Sequence, residues 1–142
     1  MSRFDAPPTS TPRTLTRVAL GAILAFAGVT HLTVARDEFQ AQVPGWFPVN
    51  DDAVVIVSGV VEVTLGAALI GCGRGRVPVG WVVAAFFVAI FPGNIAQYVE
   101  GTDAFGLDSD QKRFGRLFFQ PVLVLWALWS TGAWRDRHHL NR

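Results

Sequence analysis

A single carboxylate interrupts a long run of apolar residues in the middle of the chain. Glu62 lies near the centre of residues 53–72 (AVVIVSGVVEVTLGAALIGC), a segment long enough to cross a bilayer. A charged side chain at that depth costs roughly 2.5 to 3.5 kcal/mol, so such residues are usually paired, protonated or functional. Glu62 is therefore the first candidate for a group that carries a proton inside a helical bundle.

The other apolar segments carry polar side chains that could meet Glu62. Counting about 1.5 Å per helical residue places most of them in the outer third of a bundle, with Glu62 as the floor of a cavity. We predict catalytic residues at Glu62 and His31, and ligand-binding residues at Ser58, Asn94, Gln97, Arg116, Gln120 and Trp46. Structural roles remain open for some of them. Asn94 and Gln97 could satisfy the backbone freed by Pro92, and Arg116 could extend to the headgroups.

The composition excludes several kinds of site. Cys72 is the only cysteine, so the chain alone cannot form a disulfide, a CxxC redox pair or a thiolate metal cluster. His31 has no second histidine at helical spacing, and we therefore predict no metal site. His138 and His139 belong to a basic tail that is typical of a headgroup anchor rather than a nucleic-acid-binding segment.

Four apolar segments of membrane-spanning length position these residues. They cover approximately residues 15–35, 53–72, 77–99 and 114–134. A soluble bundle would carry polar residues at helical spacing, which the second and third segments lack. We predict an all-α integral membrane protein, an up-down bundle of four transmembrane helices within residues 14–135. Residues 1–13 are predicted to be a disordered arm, and residues 136–142 a basic tail.

Basic residues are distributed unequally between the two ends of such a bundle. The two termini and the second connection carry eight arginines, whereas the first and third connections carry four basic residues. The positive-inside rule therefore places both termini in the cytoplasm. Ala25-Phe26-Ala27 resembles a signal-cleavage site, but the apolar run continues to Leu32 and three more spans follow. We predict that the first span is retained.

Several short motifs resemble those of the DoxX family of small four-span membrane proteins. They are Arg17 and Gly21, Gly28 to Leu32, Val43 to Pro48, Ser58 to Glu62, Phe91 to Asn94, and Arg116 to Pro121. The resemblance spans roughly residues 14–134. It implies a bacterial inner-membrane protein that serves as a small subunit or accessory of a quinone-linked redox system. A quinone would accept hydrogen bonds from the polar residues of the cavity, and Glu62 would pass protons.

Two other functions stay open at this point. A proton-coupled transporter of small molecules would also use a buried carboxylate, and a non-enzymatic assembly factor would dock a partner through its outer loops. The sequence does not decide whether the chain is an enzyme. The expected partners are the lipid bilayer, a quinone or another small apolar ligand, and either a redox subunit or a second copy of the chain. No nucleic-acid partner is expected.

Overall fold

Four α-helices form the part of the chain that the structure describes. The structure is a computed structural model, and it describes residues 6–34, 46–92 and 109–140 together with residues 37, 43, 95 and 99. The helices are α1 (Thr11–Leu32), α2 (Asp51–Gly71), α3 (Arg76–Ala89) and α4 (Asp110–Ser130), with 3₁₀ turns at Gly73–Gly75 and Arg137–Leu140. Within these described residues there is no strand, so the fold is all-α.

Local sequence accounts for where the helices begin. The Asn50 side chain accepts hydrogen bonds from the backbone N–H groups of Asp52 and Ala53 at 2.9 and 3.3 Å, which caps α2. Ser109 caps α4 in the same way through the N–H of Lys112. Between α2 and α3 the backbone turns at Gly73, whose φ of 50° suits glycine.

Each helix packs against two neighbours, and the two helices of a packed pair run antiparallel. The α1–α2 pair and the α3–α4 pair are the most extensive, with α1 also contacting α4 and α2 contacting α3. Gly21 of α1 lies against Gly66 of α2, whereas Gly28, further along α1, lies against Gly59, earlier in α2. This antiparallel register, which also relates α3 to α4, gives the up-down order expected for a four-helix bundle.

Much of the apolar surface of this bundle faces outward. Helices α1 and α2 are long and apolar enough to span a membrane. The apolar part of α4, Phe114–Ser130, is shorter. Only 33% and 28% of the most apolar windows of α1 and α2 are buried. Phe26 and Leu125 are 72% and 65% exposed, for example. Exposed apolar surface of this extent marks contact with lipid or with another protein.

A buried arginine lies at the end of the bundle where α1 begins and α4 ends, which is called the terminal end below. Arg76 is 2% exposed and donates to the carbonyl oxygens of Thr131 and Pro7 at 2.6 and 2.8 Å. Its Nη2 also lies 2.8 Å from Oδ2 of Asp136. One guanidinium thus joins the N-terminal segment, α3 and the chain after α4. These contacts of Arg76 are called the clamp below.

This clamp places residues 6–10 against the bundle. Ala6 is fully buried, and its N–H donates to the carbonyl oxygen of Arg74 at 2.8 Å. Helix α1 begins at Thr11, inside the 1–13 segment that the sequence predicts to be a disordered arm. The described part of this segment has few apolar residues, and hydrogen bonds to Arg74 and Arg76 hold Ala6 and Pro7 in place, which composition does not indicate.

Acid should weaken the clamp through Asp136. Hydrogen bonding from Arg135, with a further contribution from Arg76, lowers the pKa of Asp136 from 3.8 to about 2. The unfolded chain therefore binds this proton first, so the stabilisation is complete above about pH 4 and is lost as the pH falls toward 2. We expect Asp136→Asn to lower the free energy of unfolding at neutral pH by about 1.5 to 3 kcal/mol. The melting temperature should then change less between about pH 5 and pH 2 in the variant than in the wild type.

Candidate functional site

A cavity of about 560 Å³ lies between the four helices at the end opposite the terminal end. Six of the eight predicted site residues contribute to its wall. These are His31, Trp46, Ser58, Glu62, Arg116 and Gln120. The other two, Asn94 and Gln97, lie outside the described residues. The structure therefore brings together every predicted site residue that it describes, although their roles in binding or catalysis remain predictions.

The buried pair in this wall is His31 and Glu62. Nδ1 of His31 lies 2.7 Å from Oε2 of Glu62, and the two residues are 7% and 5% exposed. Of the polar side chains predicted to meet Glu62, that of His31 is thus in direct contact with it. A carboxylate so far from water needs a partner of this kind, because an unpaired buried charge would be strongly unfavourable.

Helix geometry explains why these two side chains meet. The Cα–Cβ bond in a helix tilts toward the N-terminus, so His31 reaches back down α1 from near its C-terminal end. Because α2 runs antiparallel, the same tilt directs Glu62 toward His31 from the other helix. Gly59 leaves the space for this approach, since a Cβ there would lie 2.9 Å from the Cβ of His31.

The Nδ1 atom of His31 also lies 2.9 Å from the carbonyl oxygen of Ala27, one turn earlier in α1. A carbonyl oxygen only accepts, so Nδ1 carries a hydrogen and the tautomer is assigned by that contact. The N–H is aligned with Ala27, whereas Oε2 of Glu62 lies beside it at contact distance. Among the described residues no hydrogen-bond donor is aligned with this buried oxygen. Glu62 can therefore still accept a hydrogen bond from a molecule in the cavity.

The cavity extends further into the bundle than the sequence predicts. Glu62 was expected to form its floor, but the wall continues to Leu20 of α1 and Trp126 of α4. The lining of α1 from residue 20 to residue 31 spans about 16 Å at 1.5 Å per residue. Glu62 therefore lies part of the way along the wall. The polar groups surround one half of the cavity, and the inner half is apolar.

The apolar lining is what the sequence analysis missed, although α1 contained a signal for it. Leu20, Leu24, Ala27 and His31 are spaced three or four residues apart and share one face of α1. All four line the cavity. A stripe of this kind looks like any core-facing stripe in sequence, so only the helix positions reveal that it faces open space.

Two predicted ligand-binding side chains donate hydrogen bonds to backbone carbonyl oxygens of the bundle. Gln120 is 4% exposed, and its Nε2 donates to the carbonyl oxygen of Phe87 at 2.7 Å. That carbonyl belongs to the last turn of α3, where helix carbonyls lack partners of their own. Ser58 donates to the carbonyl oxygen of Val55 at 3.1 Å within α2. The visible role of both side chains is therefore structural.

Aromatic rings lie at the mouth of the cavity. Trp46 and Phe47 both line it and contact each other edge to face, with ring centroids 6.1 Å apart. Trp46 is 69% exposed, which suits a residue at the rim. Arg116 brings a positive charge to the same lining. Within the described residues, no cluster of three or more His, Cys, Asp or Glu side chains could hold a metal ion.

Comparison with known protein families corrects the resemblance drawn from the short motifs. Residues 20–131 match the family described as "Domain of unknown function (DUF8561)". This match covers well over half of the chain, and the chain belongs to that family. The assignment to the DoxX family is therefore wrong. Its motifs are rich in Gly, Pro and aromatic residues, which close helix packing, turns and interfaces favour in many membrane proteins. No curated protein and no solved structure matched the chain.

Proposed function

We propose that this DUF8561 protein is an integral membrane protein that binds a small amphipathic molecule and exchanges a proton with it at Glu62. The observation that carries the proposal is the buried Oε2 of Glu62, which contacts His31 at 2.7 Å in the wall of a largely apolar cavity. An oxygen with remaining acceptor capacity in such a place is suited to a hydroxyl or another donor on a ligand.

The exposed apolar surface supports the membrane part of this proposal. A core helix of a soluble protein would bury most of its apolar residues, whereas only about a third of the most apolar windows of α1 and α2 is buried. Helix α3 is shorter, but residues 91, 92, 95 and 99 beyond it are also helical, in keeping with a third span to about residue 99. With four spans, the excess of arginine at the terminal end supports a cytoplasmic location for both termini.

Labelling of single cysteines should report this topology. In a Cys72→Ser background, Arg74→Cys lies in the α2–α3 connection and Gln111→Cys lies at the start of α4, both on exposed positions. We expect a membrane-impermeant maleimide to label Gln111→Cys in intact cells and Arg74→Cys only in inverted vesicles. Labelling of both positions from the same side would contradict the four-span arrangement.

The cavity supports a specific division of chemical roles. A ligand hydroxyl would donate a hydrogen bond to Oε2 of Glu62. Its proton would pass to the carboxylate as electrons leave the ligand. The contact with the imidazole of His31 positions the carboxylate. Arg116 would favour a ligand head that carries negative charge during the step. The apolar inner half, from Leu24 to Trp126, would hold the hydrocarbon part of the ligand.

A quinone in its reduced form has this combination of groups. Its hydroxyls are donors while it is reduced, and its ring oxygens are acceptors when it is oxidised. Oxidation of the quinol releases two electrons and two protons, of which Glu62 can receive one at a time. An electron acceptor on a partner subunit would take both electrons. We therefore propose quinones as the first ligand class to test in this cavity.

The test is the identity of the molecule that copurifies with the full chain. We expect ultraviolet spectra and mass spectra of a solvent extract to show a stoichiometric isoprenoid quinone. Ala27→Phe, which fills the cavity, should abolish copurification, while Ala22→Phe on the exposed side of α1 should not. Equal ligand content in the two variants would show that the ligand binds elsewhere. A substrate-dependent proton flux in vesicles, without a bound quinone, would instead indicate transport.

A further inference from the structure

Arginine and tryptophan side chains form two stacked pairs at the terminal end of the bundle. The guanidinium carbon of Arg13 lies 4.8 Å from the ring centre of Trp129, and Nη1 of Arg13 donates to the Trp129 carbonyl oxygen. Arg137 lies 4.8 Å from the ring centre of Trp134 and donates to its carbonyl oxygen at 2.7 Å. These four residues are called the Arg–Trp surface below.

The charge around this surface is strongly positive. The described residues at the terminal end, 6–17, 72–77 and 131–140, include six arginines and one carboxylate, Asp136. Arg76 and Arg135 both bind that carboxylate, so it is already shared. Arg135 is also close enough to Arg13 for the two positive charges to repel each other. An anion placed between these arginines would relieve that repulsion.

Apolar surface continues from the Arg–Trp surface along the bundle. Trp129 is 47% exposed, and Leu125, one turn deeper in α4, is 65% exposed. Leu15 of α1 is also 65% exposed and lies at a similar depth, because Trp126 donates to the carbonyl oxygen of Thr16. Arginine beside tryptophan, with apolar residues below, matches the change from phosphate to acyl chain across a membrane interface.

We infer that the Arg–Trp surface binds the phosphate of an anionic phospholipid, whose acyl chains lie along Leu15 and Leu125. This inference depends on the proposed membrane location but not on the ligand of the cavity. The phosphate would accept hydrogen bonds from Arg13 and Arg137, and its negative charge would offset the excess of arginine. A zwitterionic phospholipid would offer the same phosphate together with a positive group, which the arginines disfavour.

The test compares lipids around the full chain in nanodiscs. Native mass spectrometry of protein released from discs of equal phosphatidylglycerol and phosphatidylcholine content should show retained phosphatidylglycerol. Arg137→Gln changes an exposed side chain and should weaken this retention about fivefold, since one arginine near the surface contributes about 1 kcal/mol. Arg13→Gln should do the same, with circular dichroism and the melting temperature recorded to confirm folding. Lys112→Gln, an exposed cation at the opposite end of α4, is the matched control and should have no effect.

Three results would overturn the inference. They are equal retention of the two lipids, equal retention by Arg137→Gln and the wild type, and an equal loss in Lys112→Gln. A protein that inserts into discs and keeps its cavity ligand but shows no lipid preference would overturn this inference alone. A protein that does not insert into discs would overturn the proposed membrane location first.

Discussion

Glu62→Gln is expected to leave the bundle folded while it slows proton exchange with the bound ligand by about 10²- to 10⁴-fold. The amide has the shape of the carboxylate, so it can keep the contact with His31. In the wild type this contact joins Oε2 of Glu62 to Nδ1 of His31 at 2.7 Å. The amide does not accept a proton near neutral pH, however, so the chemical step fails. Ligand binding through the apolar inner half should persist.

Stopped-flow mixing of the quinol-loaded protein with a chemical electron acceptor and a pH indicator dye would measure ligand-dependent proton release. Copurified ligand and melting temperature would be recorded for the same samples. Ser58→Ala is the matched control, because its hydroxyl already donates to Val55 within α2 and lines the same cavity. We expect the control to retain proton release within a few-fold of the wild type. Normal release by Glu62→Gln would show that Glu62 has a structural role only.

The nitrogen shifts of His31 give an independent readout of the same geometry. The contact with the Ala27 carbonyl assigns a hydrogen to Nδ1, so ¹⁵N spectra of the wild type should show that tautomer. Glu62→Gln should change these shifts and leave those of His138 unaltered, because His138 is an exposed residue at the other end of the bundle. Unchanged shifts for His31 would mean that Glu62 does not influence the imidazole.

The sequence predicted that Glu62 meets a polar partner, either His31 or Arg116, because burial of a charge has a large and recognisable cost. A carboxylate in an apolar helix must find a partner, and few polar residues lie at a suitable depth. The extent of the cavity has no comparable signal. Leu20 and Trp126 would look the same in sequence whether they packed against each other or lined open space. Packing at that scale depends on the positions of all four helices.

The arginines show a second limit of reasoning from sequence. Arg17 and Arg76 count toward the positive charge of the terminal end, yet they are 7% and 2% exposed. Arg17 donates to the Leu69 carbonyl and lies 2.9 Å from the sulfur of Cys72, so it caps the C-terminal end of α2. Charge counts describe which side of a membrane a loop occupies, but they do not separate structural cations from surface ones.

Close packing of α1 on α2 holds the candidate site together, and Gly28→Leu should disrupt it. A Cβ at Gly28 would lie 2.7 Å from the carbonyl oxygen of Gly59 and 2.8 Å from the backbone nitrogen of Val63. Both obstacles are backbone atoms, so the helices must separate rather than rotate a side chain. Gly28 therefore faces α2. We expect Gly28→Leu to cost about 3 kcal/mol or more, near the upper end for overpacked sites.

Gly115→Leu provides the matched control, because nothing lies within 4 Å of a Cβ added at Gly115 in α4. The same substitution there should leave stability unchanged or slightly increased, since leucine favours a helix more than glycine does. Thermal unfolding in detergent and folded yield would compare the two variants with the wild type. Separation of α1 from α2 would also move His31 away from Glu62, so Gly28→Leu should lose its copurified ligand. An unchanged melting temperature for Gly28→Leu would mean that α1 and α2 do not pack at Gly28 and Gly59.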